Sequence, residues 1–202
     1  MGALKLEKLQ KSFGEKLLFS DLSYAFPEVG LFLITGESGV GKTTLLRMIA
    51  GLDSEYSGTI VGGGLDAVSY VFQEHRLFPA LTALDNVSEV LRAEGLDRRT
   101  ARERAAEVLL SVGYPEEALG KRPALLSGGM CQRVSLARAL ASDRKILLCD
   151  EPEKDLDAAL RALLHARLAE EGHRRLVLVV THTPEALLPL ADGALCLSPS
   201  AK

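Results

Sequence analysis

Apolar positions along the chain follow two rhythms. From residue 4 to about 26 they alternate loosely with polar ones: Leu4, Leu6 and Leu9, then Leu18, Phe19, Leu22, Tyr24 and Phe26. Alternation of this kind predicts half-buried strands, with Gly14 and Glu15 placed to turn between them. Later the apolar residues come in short unbroken runs: Leu31 to Thr35, Ala67 to Phe72, Lys145 to Cys149, Leu176 to Val180 and Ala194 to Leu197. Such runs predict strands buried on both faces, which is how parallel strands lie beneath helices. Thr59-Ile60-Val61, after Ser57-Gly58, reads as one more strand.

Between the runs the spacing turns helical. One helix is predicted from about Gly41 to near Gly51, and another over roughly 157–170. From Asp85 to about Leu119 no strand signal occurs. Asp85 is placed to cap a helix that Gly95 ends. Asp97 is placed to cap the next, whose apolar stripe runs through Ala101, Ala105, Val108 and Val112 to a stop at Gly113. Ser127 opens a further helix striped by Met130, Val134, Ala137 and Ala141. A short helix is expected between Val180 and Ala194. The prediction is an α/β fold in a single domain over 1–202, with a mostly parallel sheet, flanking helices and an N-terminal antiparallel β part. Residues 1–80 and 130–202 form its β part and core, and about 81–129 a helical subdomain.

Composition adds bounds. An apolar share of 47% supports a core, and a net charge of −3 gives no global attraction to nucleic acid. The arginines 98, 99, 102 and 104 are interleaved with Glu103 and Glu107, as on a solvated helix face. Cys131, Cys149 and Cys196 lack metal-ligand spacing and are expected as reduced core or near-core thiols of a cytosolic protein. No signal core precedes the first strand, and no apolar run approaches the ~20 residues needed to cross a bilayer. Any membrane role is therefore expected to go through a partner.

The chemistry concentrates after the strand Leu31 to Thr35. Gly36, Gly41, Lys42 and Thr43 fit the phosphate-binding pattern G-x-x-x-x-G-K-[ST], with Glu37, Ser38, Gly39 and Val40 between and Thr44 next in the chain. Glycines let successive N–H groups converge on one anion, and the helix start adds partial positive charge. Lys42 would neutralise the β- and γ-phosphates, and the Thr43 hydroxyl would ligate magnesium. The chain is thus expected to bind a nucleoside triphosphate.

Other candidates cluster at strand ends. The apolar run 146–149 ends in Asp150 and Glu151, a pair suited to magnesium coordination and to activation of water; the alternative is an acid pair capping the next helix before Pro152. His182 lies two positions after Val180 as a candidate γ-phosphate contact, although a lone histidine is usually structural. Ser127, Gly128 and Gly129 open a helix whose free N–H groups form a second anion site, although many helices begin this way. Gln73 ends its strand, and the loop after it, through Leu77-Phe78-Pro79, is either a partner contact or a lid. Phe13 is either a nucleotide-stacking ring or strand packing.

Taken together these residues resemble the ATP-binding subunit of ABC transporters over essentially the whole chain. GESGVGKTT looks like that family's Walker A, Gln73 its Q-loop, LSGGM its signature and ILLCDEP its Walker B. Asp157 looks like the D-loop aspartate, Thr181-His182 like the H-loop, and Phe13 like the aromatic that stacks on adenine. The resemblance implies a P-loop NTPase fold with ATP and Mg2+ as cofactors. It implies Thr43, Gln73 and Asp150 as metal ligands, Glu151 as base, and catalytic roles for Lys42 and His182. It implies a head-to-tail homodimer in which Ser127, Gly128 and Gly129 reach the γ-phosphate held by the other chain. The loop after Gln73 would meet an integral membrane permease at the cytoplasmic face, with no nucleic acid involved and an extracytoplasmic solute-binding protein as an indirect partner.

The run from Gln73 to Val87 and Met130 is most similar to importers of the nitrate, sulfonate, taurine and thiamine-precursor group. Three features depart from the pattern: a short stretch between Lys42 and Gln73, Cys131 where a polar residue is usual, and Lys154-Asp155 where small residues are usual. The last two motivate an alternative function, a nucleotide-binding regulatory or assembly module with weak hydrolysis. No room exists between Gln73 and Leu126 for the coiled-coil arm of chromosome-maintenance relatives, and no Asn-Lys-x-Asp motif reads guanine.

Overall fold

The computed structural model describes residues 4–14 and 16–198. Two sheets form. The antiparallel one has the order β2-β1-β4, from β1 (Lys5–Phe13), β2 (Lys16–Ala25) and β4 (Ser57–Val61). The other has five strands in the order β5-β6-β7-β3-β8, from β3 (Gly30–Thr35), β5 (Val68–Val71), β6 (Ile146–Asp150), β7 (Leu176–Val180) and β8 (Gly193–Cys196). β3 runs parallel to both β7 and β8, and β6 runs parallel to β7. Every residue of β6 and β7 is buried, as their unbroken apolar runs predict. The α/β reading and its antiparallel N-terminal part are both present.

The chain divides into two compact units. The first holds residues 1–70, 144–150 and 168–202; the second holds 71–143 and 151–167. In the first, the inner faces of both sheets and the helix α1 (Lys42–Ile49) share one core that includes Leu6, Leu9, Leu45, Ile49, Leu148 and Leu178. Fully burying such a side chain contributes roughly 1.5–3 kcal/mol, against about 1 kcal/mol net for a hydrogen bond. Core packing therefore sets where the strand ends stand.

β1 departs from strict alternation. Its buried residues are Leu6, Leu9 and Lys11, and the spacing of three between the leucines is absorbed by a bulge at Lys8, where φ is +50°. Gly58 on β4 makes room: a Cβ there would lie 2.4 Å from the Lys8 carbonyl oxygen. The bulge turns Lys11 inward, where its Nζ donates to Asp53 Oδ1 at 2.8 Å and to the Glu55 carbonyl at 2.7 Å. Gly14 has φ +56° at the expected turn; Glu15 lies outside the described residues.

The second unit contains α2 (Ala83–Ala93), α3 (Arg98–Ser111) and α4 (Gly128–Leu140), with the start of α5 (Ala158–Gly172). Three expectations about helices change. Thr82, not Asp85, caps α2: its Oγ1 accepts from the Asp85 amide at 3.1 Å, and Asp85 sits inside the first turn, where an acid favours the helix dipole. On α3 the deeply buried third position is Leu109, whereas Val108 is only partly covered, because Leu109 keeps the i+4 spacing that runs from Ala101 through Ala105. The short helix after Val180 is two single 3₁₀ turns, Pro184–Ala186 and Leu188–Leu190. Pro189 offers no N–H to a continuous α-helix. Among the described residues no helix is long and apolar enough to cross a membrane.

Candidate functional site

In the parallel sheet Val180 pairs with Ile34 on one side and Asp150 on the other. Three strands thus end level, and the segment after each is delivered to the carboxyl edge, where parallel sheets present ligand-binding groups. After β3 comes the loop 36–41. Its glycines adopt backbones that other residues resist: φ is +134° at Gly36, +74° at Gly39 and +108° at Gly41. At Gly36 space is also closed, since a Cβ would stand 2.4 Å from the Leu197 carbonyl oxygen. Glu37 and Ser38 are exposed at the crest, while Val40 tucks inward with Val40 N–H donating to the Glu37 carbonyl at 3.3 Å.

Lys42 closes the loop on itself. It is 8% exposed, and its ammonium donates to the carbonyls of Gly36 at 2.8 Å and Glu37 at 2.9 Å. Gly41 caps α1 without a side chain, which keeps the helix start open toward the loop. Beside it the Thr43 hydroxyl donates to Asp150 Oδ1 at 3.1 Å, and Thr44 is half-buried one position on. The Tyr70 hydroxyl reaches Asp150 Oδ2 at 3.5 Å; burial, then the Asp150 charge, pushes that phenol well up, so it stays a neutral donor. A hydroxyl and a buried carboxylate held at one point suit magnesium, which takes one or two protein oxygens together with substrate phosphates. His182, exposed two residues beyond β7, is flanked by a turn in which Thr183 N–H donates to Thr181 Oγ1 at 3.0 Å.

The second unit carries the remaining candidates. Gln73 Nε2 donates to Glu151 Oε2 at 3.2 Å. Glu151 has φ +51°, a left-handed conformation that costs a non-glycine residue about 1–2 kcal/mol. The loop after Gln73 is pinned by two side chains that carried no sequence signal of a role here. Asn86, fully buried, accepts from the Phe78 amide at 2.8 Å and donates to the carbonyls of Phe78, Leu81 and Thr82. Arg138 donates to the carbonyls of Arg76 at 2.8 Å and His75 at 3.2 Å. Held this way, the loop leaves Phe78 53% exposed.

At the start of α4, Ser127 Oγ accepts from the Met130 amide at 3.3 Å, the expected cap. The segment 151–157 packs against this start. A Cβ on Gly129 would stand 2.6 Å from the Asp155 carbonyl oxygen, and one on Gly128 would stand 3.1 Å from Asp155 Oδ2. Gln132, fully buried, donates to the Pro152 carbonyl at 2.8 Å. Glu153 and His165 form a buried pair at 2.5 Å. Asp157 caps α5, accepting from the Leu160 amide at 2.9 Å.

Phe13 stands 53% exposed at the end of β1, with Lys11 Nζ 4.7 Å from its ring centre. Of the cysteines, Cys149 is buried and its thiol pushed up by burial, and Cys131 is half-buried with a thiol raised for the same reason. Cys196 is exposed, contrary to the expectation of a near-core thiol, because it falls on the outward face of β8, at the end of the sheet order. Arg99 pairs with Glu103 at 2.8 Å and Arg102 with Asp85, which makes the arginine-rich stretch a solvated face.

Comparison with known proteins bears on this geometry. The family model described as ABC transporter matches residues 19–154. The chain is 41% identical over 203 residues to the Fe(3+) ions import ATP-binding protein FbpC of Rhizobium etli, covering 95% of this chain and 57% of that protein. It is 41% identical over 204 residues to the aliphatic sulfonates import ATP-binding protein SsuB of Zymomonas mobilis, covering 96% and 82%. The chain thus spans little more than half the length of the iron-import relatives. Among solved structures, the dimeric structure of MJ0796, a bacterial ABC transporter cassette, superposes with a TM-score of 0.84 at 30% identity, covering 96% of this chain and 94% of that one. The same cassette in a post-hydrolysis state bound to ADP and Pi gives 0.85 at 29% identity, covering 97% and 94%. The matched span, the phosphate loop with its Thr43–Asp150 contact, and the likeness to cassette structures agree: the chain belongs to the ABC transporter family, as an ATP-binding domain of it.

Proposed function

We propose that this chain is the ATP-hydrolysing subunit of a membrane importer, and that two copies close head to tail around two ATP molecules. The observation that carries the reading is the Thr43–Asp150 contact at 3.1 Å beside an open helix start and a lysine lodged in the loop. Lys42 exchanges its two loop carbonyls for the β- and γ-phosphate oxygens, while the N–H groups from Gly39 to Thr44 surround the β-phosphate. Thr43 and Asp150 would hold magnesium, with Gln73 as a third ligand by resemblance; bound there, the ion would neutralise phosphate charge. Glu151 orients and deprotonates the attacking water, and His182 contacts the γ-phosphate. Phe13 stacks on adenine, with Lys11 behind its ring. Ser127, Gly128 and Gly129 serve the partner's nucleotide, and Asp157 lies at the same interface.

The exposed Phe78 on its pinned loop supports docking to a permease at the cytoplasmic face of the membrane. The names of the iron and sulfonate relatives favour import, with a solute-binding protein acting through the permease. One domain over 1–202 with a helical subdomain around 81–129 remains our proposal for the division of labour. The alternative, a regulatory module with weak hydrolysis, is favoured by one observation, the approach of Asp155 to the signature glycines. Phosphate release decides between them. Magnesium-dependent turnover that falls at least about 100-fold in both Lys42→Ala and Glu151→Gln is expected, since each removes a group acting on the transition state. Turnover that survives both changes would overturn the reading.

A further inference from the structure

We propose that Asp155 is a charge brake on closure of the ATP-bound dimer, its carboxylate held beside the glycines that must receive the partner's γ-phosphate. The inference rests on the dimer reading above and adds a residue to it.

The brake is built by backbone and placed by sequence. Asp155 adopts φ +61°, a conformation that aspartate and asparagine tolerate better than most residues. Its carbonyl presses on Gly129, leaving no room for a Cβ, and its side chain turns alongside Gly128 with Oδ2 and Cγ 3.1 and 3.3 Å from the position a Cβ would take. A unit negative charge therefore stands within a few ångströms of a helix start that otherwise favours anions. One basic group faces it and another adjoins it in the chain. His75 Nε2 lies 3.9 Å from Oδ2 and makes no hydrogen bond, and Lys154 is its neighbour in the chain. The side chain of Asp155 is 45% exposed, so the carboxylate meets an incoming phosphate partly through solvent.

Two like charges about 6 Å apart in a half-screened setting disfavour closure by about tenfold at each of the two nucleotide sites. Small uncharged residues here would keep the backbone contact with Gly129 and lose the repulsion. The carboxylate thus sets the threshold for closure while leaving the nucleotide site on the same chain untouched.

The test compares Glu151→Gln protein with the double variant Glu151→Gln, Asp155→Asn. Asparagine keeps the shape and tolerates the left-handed backbone. Sedimentation with ATP should show the double variant dimerising about a hundredfold more tightly, about tenfold from each site, with the advantage shrinking toward 1 M salt, where the screening length falls to about 3 Å. ATP affinity measured on dilute monomer should not change. A parent that dimerises no less tightly than the double variant overturns the brake and leaves the dimer reading standing. An advantage of equal size at high salt assigns the effect to shape, and overturns it too. A monomeric parent with a dimeric double variant supports it, whereas two monomeric proteins would sink the dimer reading and the brake together.

Discussion

Two helices in this chain begin with glycines that leave the helix start open, and they reach that state by different means. At α1 the glycines are demanded by backbone conformation: Gly36, Gly39 and Gly41 all have positive φ, and no side chain caps the helix. At α4 the glycines have ordinary backbones, and a serine supplies the cap. They are demanded by a neighbour, the segment around Asp155. The charge beside each start differs as well, a lysine folded onto carbonyls at the first and a carboxylate at the second. On the proposed reading the first holds an anion on its own account, and the second does so only when a partner delivers that anion against a cost. Glycine in a motif is thus a weak statement until one knows whether shape or space requires it.

Substitutions should separate the two cases. Gly36→Ala is expected to do most harm, because it meets both a φ of +134° and the Leu197 carbonyl at 2.4 Å. A loss of about 3 kcal/mol or more in denaturant unfolding, with ATP binding gone, is the expected outcome. Gly129→Ala faces one obstacle, the Asp155 carbonyl at 2.6 Å. It should cost about 1–3 kcal/mol and spare ATP binding by the monomer, which nucleotide titration would check. If the two alanine variants lost ATP binding alike, the distinction between the helix starts would be wrong.

The smallest effect concerns pH. Burial holds the His75 pKa below its ordinary 6.5, with Asp155 opposing and Lys154 adding to the shift. Arg138 donates to the His75 carbonyl at 3.2 Å. Between the depressed folded pKa and 6.5 the unfolded chain binds more protons, so stability falls as pH drops through this window. His75→Gln should flatten the unfolding midpoint between about pH 7 and 5 relative to the parent. An unchanged slope would remove His75 from the account of what faces Asp155.

Much of this was legible in the sequence, because it depends on neighbours along the chain. The phosphate loop, the unbroken runs of β6 and β7 and the serine cap of α4 are local patterns with local physics. The bulge at Lys8 was half legible: the spacing of three between Leu6 and Leu9 announces it, but the burial of Lys11 depends on Asp53 far along the chain. Thr82 and Asp85 are both capping residues, and only the path of the preceding loop selects between them. Asn86, Gln132 and Arg138 satisfy backbone groups brought near by folding, and polar residues on amphipathic helices give no hint of that. The closeness of Asp155 to Gly129 joins residues 26 positions apart, and no spacing rule reaches so far.

The left-handed turn at Glu151 bears on how improved versions of such a protein are selected. Glycine at 151 would relax the φ of +51°, and the protein could melt at the same temperature or higher while losing its proposed base. A library ranked by heat resistance alone would promote that variant. If Glu151 is the base proposed above, stability and turnover pull in opposite directions at this one position, and selection here has to read both.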